Sequence, residues 1–292
     1  MSAGEPDQEP LIVTDTHELL SGTLQHLDDG VARIVARNAG MMTGAGTNTY
    51  LVGTRELIVI DPGPDDETHV QAIVAAGAGR IRWILCTHTH FDHSPAAARL
   101  KSLTGARIAA MSAPATDHDF KLDLDRPLTD DDFIQCAEVS IRAIHTPGHA
   151  SNHLCFLLTG TGMLFTGDHI MQGSTVVIWP PDGNMRAYLD SLRRLLELDI
   201  KVLAPGHGHL IEEPYAEFDR LIRHRLRRED KVRQAVSRTA AGVTVETLLS
   251  YSYDDVPKVL HQMAARSLQA HLDKLVDDGE IRCMNRQYFP VP

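Results

Sequence analysis

Four short apolar runs in this chain each stop at a tight turn carrying histidine or aspartate, and that pattern restricts the fold more than any bulk property does. The richest turn is Thr87-His88-Thr89-His90-Phe91-Asp92-His93-Ser94, which packs four metal-ligand candidates into six residues. It follows the apolar run from Ile81 to Cys86, which reads as a buried strand. Ser94 and Pro95 then supply the N-cap and first-turn proline that open a helix. His145-Thr146-Pro147-Gly148-His149 follows a run from Val139 to Ile144. Thr166-Gly167-Asp168-His169 follows Met163 to Phe165, and Pro205-Gly206-His207-Gly208-His209 follows Lys201 to Ala204. Core packing does not place His or Asp at four strand ends, whereas α/β sheets build their sites beyond the carboxyl ends of strands. Neutral imidazoles and carboxylates are the donors that zinc and similar divalent ions prefer.

The rest of the chain supplies the frame. Val31 to Val35, Thr49 to Val52 and Leu57 to Ile60, separated by Gly44-Ala45-Gly46 and Gly53, read as a meander of strands. Ile108 to Met111 and His153 to Leu158 add further strands. Thr68 to Ala76, closed by Gly77, and about Met185 to Leu198 read as helices. Sheets flanked by helices predict a layered α/β unit over residues 1–213. From Pro214 to the end, residues 214–292, the pattern turns helical, with Tyr215, Phe218, Leu221, Ile222 and Leu226 on an apolar face. Arg220, Arg223, Arg227 and Lys231 form a basic ridge on the other side. A short helix from Val243-Thr244-Val245, an amphipathic one through Ala264, Leu268, Leu272 and Leu275, and a hairpin or single strand from Ile281 to Phe289 resemble a winged-helix module.

Composition narrows the function classes. With 43% hydrophobic and 23% charged residues the chain can bury a full core. No apolar run approaches the roughly 18 residues of a membrane span. Met1 to Pro10 carries Glu5, Asp7 and Glu9 without Lys or Arg, which argues against a targeting peptide and makes the cytoplasm the expected address. Cys86, Cys136, Cys155 and Cys283 are scattered and read as reduced, small hydrophobes. Residues 1–213 hold 15 Lys and Arg against 28 Asp and Glu, and residues 214–292 hold 13 against 11. So acidic a main body does not attract polyanions; nucleic-acid contact would need a local basic patch.

In order and spacing, His88-x-His90-x-Asp92-His93, His149, Asp168 and His207 resemble the five motifs of the metallo-β-lactamase superfamily, from about Thr47 to His207. With Gly46 to Gly53 and the closing winged-helix-like segment, the wider resemblance is to its β-lactamase-like endoribonuclease subfamily. The resemblance implies a four-layer αββα sandwich with a small C-terminal helical domain. It also implies two metal ions, usually zinc, with iron or manganese as alternatives. His88, His90 and His149 would hold one ion and Asp92, His93 and His207 the other, with Asp168 bridging. Two ions about 3.5–4 Å apart share a hydroxide whose pKa falls towards neutrality. Asp92 is implied to orient that hydroxide and later carry a proton.

Asp61, in Val59-Ile60-Asp61-Pro62-Gly63, matches a family position that hydrogen-bonds a ligand histidine; an ordinary turn aspartate is the alternative. His145 is expected to be structural, and His153, His169 and His209 to line the pocket or fill hydrogen-bonding roles. Trp179 and Tyr188 are substrate-binding candidates, although Tyr188 sits at apolar helical spacing that also suits a core residue.

Relatives are implied to cut single-stranded RNA, and many neighbours cleave thioesters or lactones; fold alone does not choose between them. The basic ridge suits phosphates, whereas Asp273, Asp277 and Asp278 on the predicted recognition helix, Ala264 to Asp278, and Glu280 beyond it would repel them. A small ester, thioester or lactone is therefore the favoured substrate, single-stranded RNA the alternative partner, and an iron-dependent oxygenase of the same fold a further alternative. Di-iron members carry a carboxylate where His90 stands. A non-enzymatic binding module predicts lost ligands, and every ligand is present. No membrane partner is expected, and a homodimer is left open.

Overall fold

The computed structural model describes residues 18–112, 119–238 and 240–291. The acidic segment Met1 to Pro10 lies outside them.

The first sheet runs in chain order through β1 (Leu24–Asp28), β2 (Val31–Val35), β3 (Asn48–Val52), β4 (Leu57–Ile60), β5 (Ile81–Leu85), β6 (Arg107–Ala110) and β7 (Arg126–Pro127). Hairpin neighbours from β1 to β4 pair antiparallel, and β4 to β7 pair parallel. The parallel crossovers carry α1 (Glu67–Gly77) between β4 and β5, and α2 (Ala96–Thr104) between β5 and β6. The second sheet contains β8 (Phe133–Cys136), β9 (Val139–His145), β10 (Leu154–Leu158), β11 (Met163–Gly167) and β12 (Val202–Pro205), in the order β12-β11-β10-β9-β8. The crossover between β11 and β12 contains α3 (Met185–Leu195), and this is the sheet's parallel pair.

Side-chain alternation along each strand builds the layers. Ile58, Ile60, Trp83 and Leu85 face inward and meet Ile141, Ala143, Phe156 and Phe165 from the second sheet. Val59 and Ile84 point the other way, onto Ile73 of α1 and Ala97 and Leu100 of α2. Ile144, Cys155 and Leu164 likewise turn outward, against Leu189 and Leu192 of α3 and Phe218 and Leu221 of α4 (Pro214–Ser237). The order is helix, sheet, sheet, helix, as the motif resemblance implied.

At 24 residues, α4 is about 36 Å long and outruns the sheet it covers. Its second half joins α5 (Val245–Ser252), α6 (His261–Asp277) and the hairpin of β13 (Ile281–Met284) and β14 (Gln287–Pro290). Val232, Val236, Leu248, Leu268, Leu272, Leu275, Ile281 and Tyr288 form their shared core. Among the described residues, no helix is long and apolar enough to cross a membrane.

Several local expectations need correction. Ser94 is not a side-chain cap: its hydroxyl donates to the His90 carbonyl, and the residue flanking α2 is Pro95. Gly77 does not close α1; Ala78 does, in the left-handed region at φ 45°. Gly77 is small for another reason, since a Cβ there would lie 2.5 Å from Ile81 Cδ1. Helix α3 stops at Leu195, three residues before the expected end. The buried face of α4 also drifts. Tyr215 and Leu226 are 41% and 40% exposed, while Arg225, Arg228 and Glu229 take buried positions as the helix passes from the sheet to the C-terminal module. The strands β1 and β8 carry weak patterns, half-exposed LQHLD and alternating FIQC, and were not expected.

Candidate metal centre

The four ligand-bearing turns meet at one edge of the sandwich because β5, β9, β11 and β12 all end there. Backbone bonds hold the turns in place: Leu154 N–H donates to Thr87 O at 2.7 Å, and Gly206 N–H to Gly167 O at 2.9 Å. Tyr50 Oη and Asn48 Nδ2 donate to the Pro205 carbonyl at 2.8 and 2.9 Å, joining the first sheet to the His207 turn. Gly206 is required by space. A Cβ there would lie 2.7 Å from His93 Cε1 and 3.1 Å from Asp168 Oδ1.

All seven predicted ligands converge, in two groups. His88, His90 and His149 form one, and Asp92, His93, Asp168 and His207 the other, with one donor atom from each residue within 4.8 Å of the rest of its group. Asp168 faces both. Its Oδ1 lies 3.2 Å from His93 Nε2 and 3.3 Å from His207 Nε2, while its Oδ2 lies 3.6 Å from His149 Nε2. Asp92 Oδ2 is 3.2 Å from His207 Nε2, and His149 Nε2 is 3.0 Å from His90 Nδ1.

Hydrogen bonds on the far nitrogens dictate which nitrogen is offered. His93 Nδ1–H donates to Asp61 Oδ2 at 2.8 Å, because a carboxylate only accepts. Thr87 gives its one hydroxyl proton to the same oxygen at 2.8 Å, and so accepts from His88 Nδ1–H at 3.0 Å. His149 Nδ1–H donates to the Val177 carbonyl at 2.7 Å, and His207 Nδ1–H to Gly46 O at 3.2 Å. In all four rings Nε2 is thereby left with its lone pair directed into the cluster, the arrangement metal-binding histidines need. His88 Nε2 is buried with no hydrogen-bond partner among the described residues. A buried orphan acceptor is costly, and a cation would satisfy it. Five imidazoles and two carboxylates suit zinc in softness and charge.

The electrostatics agree. Burial opposes a charge on His93, yet Asp92, Asp168 and Asp61 hold its pKa well above the ordinary value. Burial likewise opposes a charge on His207, and Asp168 and Asp92 still raise it to about 9. Against its own burial, His207 and His93 keep the Asp168 carboxyl far below its usual range. The cluster thus demands positive charge. His88 and His90 respond differently: burial, then neighbouring histidines, lower both, His90 to about 3, leaving neutral rings.

The site opens into a cavity of about 860 Å³. Met41, Met42, Phe91 and Met171 line one side, and Arg225, Tyr253, Val256, Leu260 and Met263 from the C-terminal module line another. Trp179 stands on its wall, with the Arg266 guanidinium 3.2 Å from its ring centroid. Tyr188 does not. It is fully buried on α3 in the outer core and is absent from the cavity lining, so its apolar helical spacing prevails over a substrate role. His209 lines the cavity, while His153 and His169 are buried beneath the centre. His145 donates to or accepts nothing there; its Nε2 meets Ser151 O at 2.9 Å. Thr87 is the important residue that sequence reasoning passed over, although it stood inside the motif. The signal was a hydroxyl directly beside a ligand histidine.

Residues 42–207 match the family model described as "Metallo-beta-lactamase superfamily", and residues 244–284 match "Beta-lactamase associated winged helix domain". The "Beta-lactamase-like protein 2 homolog" of Drosophila melanogaster is 31% identical over 276 residues, covering 88% of this chain and 91% of that protein. "Lactamase-like protein nscB" of Trichophyton equinum is 30% identical over 291 residues, covering 92% and 85%. A "Beta-lactamase domain protein from Burkholderia ambifaria" has a similar fold, with TM-score 0.80 at 18% identity, covering 95% of this chain and 96% of that one.

Proposed function

Because the chain belongs to the metallo-β-lactamase superfamily and ends in that family's associated winged helix domain, we propose that this metal-dependent hydrolase works through a two-metal centre on a small ester, thioester or lactone. The observation that carries the two-metal reading is Asp168, whose two oxygens face different ligand groups. His88, His90 and His149 would hold one ion, and Asp92, His93 and His207 the other. Bound there, divalent ions, zinc by donor type, would supply Lewis acidity and bring the pKa of water down towards neutrality. The protein's own part is to fix the rings through Asp61, Thr87, Val177 and Gly46. Asp92, on the cavity wall, would carry a proton and pass it to the leaving group as the substrate's bond to that group breaks.

The cavity supports the small-substrate reading. Its wall is rich in methionine and aromatic side chains, and helices of the C-terminal module close one side. The basic ridge supports a phosphate track poorly. Arg220 is paired with Glu217 at 2.6 Å, and Lys231 with Asp254 at 3.0 Å. Asp278, a charge that would repel a nucleic acid, is paired with Arg186 and Lys274.

Two outcomes are expected. First, zinc-loaded protein should turn over members of an acyl-thioester and lactone panel; chelation should abolish that turnover and added zinc restore it. Turnover that survives exhaustive chelation would sink the metal-dependent reading. Second, Arg223→Glu with Arg227→Glu should leave turnover and its salt dependence unchanged. If the protein instead cleaves single-stranded RNA, and this double substitution weakens cleavage while flattening its salt slope, RNA is the substrate.

A further inference from the structure

His149 is held from two sides. The backbone before it is fixed by α3: Asn184 N–H donates to Gly148 O at 2.8 Å, and Ser191 Oγ to Pro147 O at 2.8 Å. The rotation of its ring is set elsewhere, by the Val177 carbonyl that accepts from Nδ1–H. Val177 lies in a stretch without helix or strand pairing, whose place must come from tertiary contacts.

Those contacts come from the C-terminal helices. Arg225 of α4 donates from Nη2 to the Val176 carbonyl at 2.6 Å. Ser267 of α6 accepts from Ile178 N–H at 3.4 Å. The two grips fall on the residues immediately before and after the carbonyl that orients His149. Both gripping side chains are buried, as are Val176 and Ile178. One residue further on, Arg266 stacks on Trp179. The charge-assisted bond from Arg225 is the strongest of these holds, since guanidinium donors bind carbonyls about twice as strongly as neutral ones.

We propose that the C-terminal module positions the metal centre, with Arg225 and Ser267 clamping residues 176–178 so that His149 presents Nε2 to the His88 and His90 group. The inference rests on the two-metal reading above. Arg225 and Ser267 are positioning residues, and they act on one ligand group through His149 alone: His88, His93 and His207 take their orientation from Thr87, Asp61 and Gly46, which make no hydrogen bond with the C-terminal module among the described residues.

The test is a metal titration of the full-length, metal-stripped protein with cobalt(II), competed against a chromophoric chelator and read by the cobalt absorption bands. Wild type should show two binding events, one of them removed by His149→Ala. In Arg225→Met that same event should weaken measurably, by up to the roughly 10–100-fold that follows complete loss of a ligand histidine's outer partner, with the other event unchanged. Arg225→Lys, which can still donate to Val176 O, should fall between, and Ser267→Ala should shift the same event less. Unchanged events in a folded Arg225→Met, or equal weakening of both, would overturn the clamp. If Arg225→Met does not fold by circular dichroism, Ser267→Ala decides by the same criterion. Wild type that takes up no metal would overturn the two-metal reading and the clamp with it.

Discussion

Asp168→Asn is expected to lower turnover by about 10³-fold or more while the protein stays folded. Asparagine keeps the size and one oxygen of the side chain but removes the charge, and Asp168 is the carboxylate that faces both ligand groups. Metal-assisted stabilisation of developing charge is worth several kcal/mol, and about 1.4 kcal/mol is a factor of ten in rate. Losing both halves of the centre at once therefore costs at least about three powers of ten. The fold should tolerate it. His93 and His207 are the cations Asp168 compensates, and each can lose its proton rather than remain a buried unpaired charge. Metal content by inductively coupled plasma mass spectrometry should fall together with turnover, with the metal-free melting temperature close to that of wild type. Full metal content and turnover in a folded Asp168→Asn would show that the two groups do not share this residue.

How much of this was legible in the sequence depends on how local each interaction is. The seven candidate ligands were readable because each stands in a turn just after a strand, where function and not packing explains a His or Asp. The layers were readable because Ile58, Val59 and Ile60, or Trp83, Ile84 and Leu85, alternate between two apolar environments. Tyr188 was ambiguous because the same helical spacing suits a core residue and a pocket residue, and the core won when α3 was laid on the second sheet. The role of Arg225 was hidden for the opposite reason. In the sequence it is one more arginine among Arg220, Arg223 and Arg227, and its partner, the Val176 carbonyl, lies 49 residues away in an irregular stretch. Lys231 also met its acids, Asp254 and Asp255, only through the packing of α4 on α5. Pairings of this kind leave no periodic trace, so a solvated ridge and a phosphate track read alike until the fold sets the neighbours.

Asp61→Asn should disable both ligand groups through tautomers alone, without touching a ligand. Asp61 is 2% exposed and sits at φ 50°, a left-handed conformation that Asp and Asn accept at low cost. Its Oδ1 accepts from Thr87 N–H at 2.7 Å; its Oδ2 accepts from Thr87 Oγ1–H and His93 Nδ1–H, each at 2.8 Å. In the variant the amide oxygen must stay on the Thr87 N–H, because the flipped amide would set donor against donor. The amide NH₂ then takes the place of Oδ2. Thr87 must now accept from it, and the hydroxyl proton turns towards His88 Nδ1. His88 and His93 both lose the acceptor that kept their proton on Nδ1, and both are pushed to carry it on Nε2, the nitrogen needed for the metal. Each group should therefore lose about 10–100-fold in metal affinity, the range for removing such partners. Asp61→Ala should differ in kind. It strands the buried Thr87 N–H, at about 1–3 kcal/mol, and puts a β-carbon without local hydrogen bonds in the left-handed region for a further 1–2 kcal/mol or so. The alanine variant is expected to melt lower and the asparagine variant close to wild type, with both losing metal. Imidazole ¹⁵N shifts would report the tautomers directly. Nε2 unprotonated on His88 and His93 in zinc-free, folded Asp61→Asn, read at a pH raised until both rings are neutral and where wild type has the same shifts, would break the link between Asp61 and the centre.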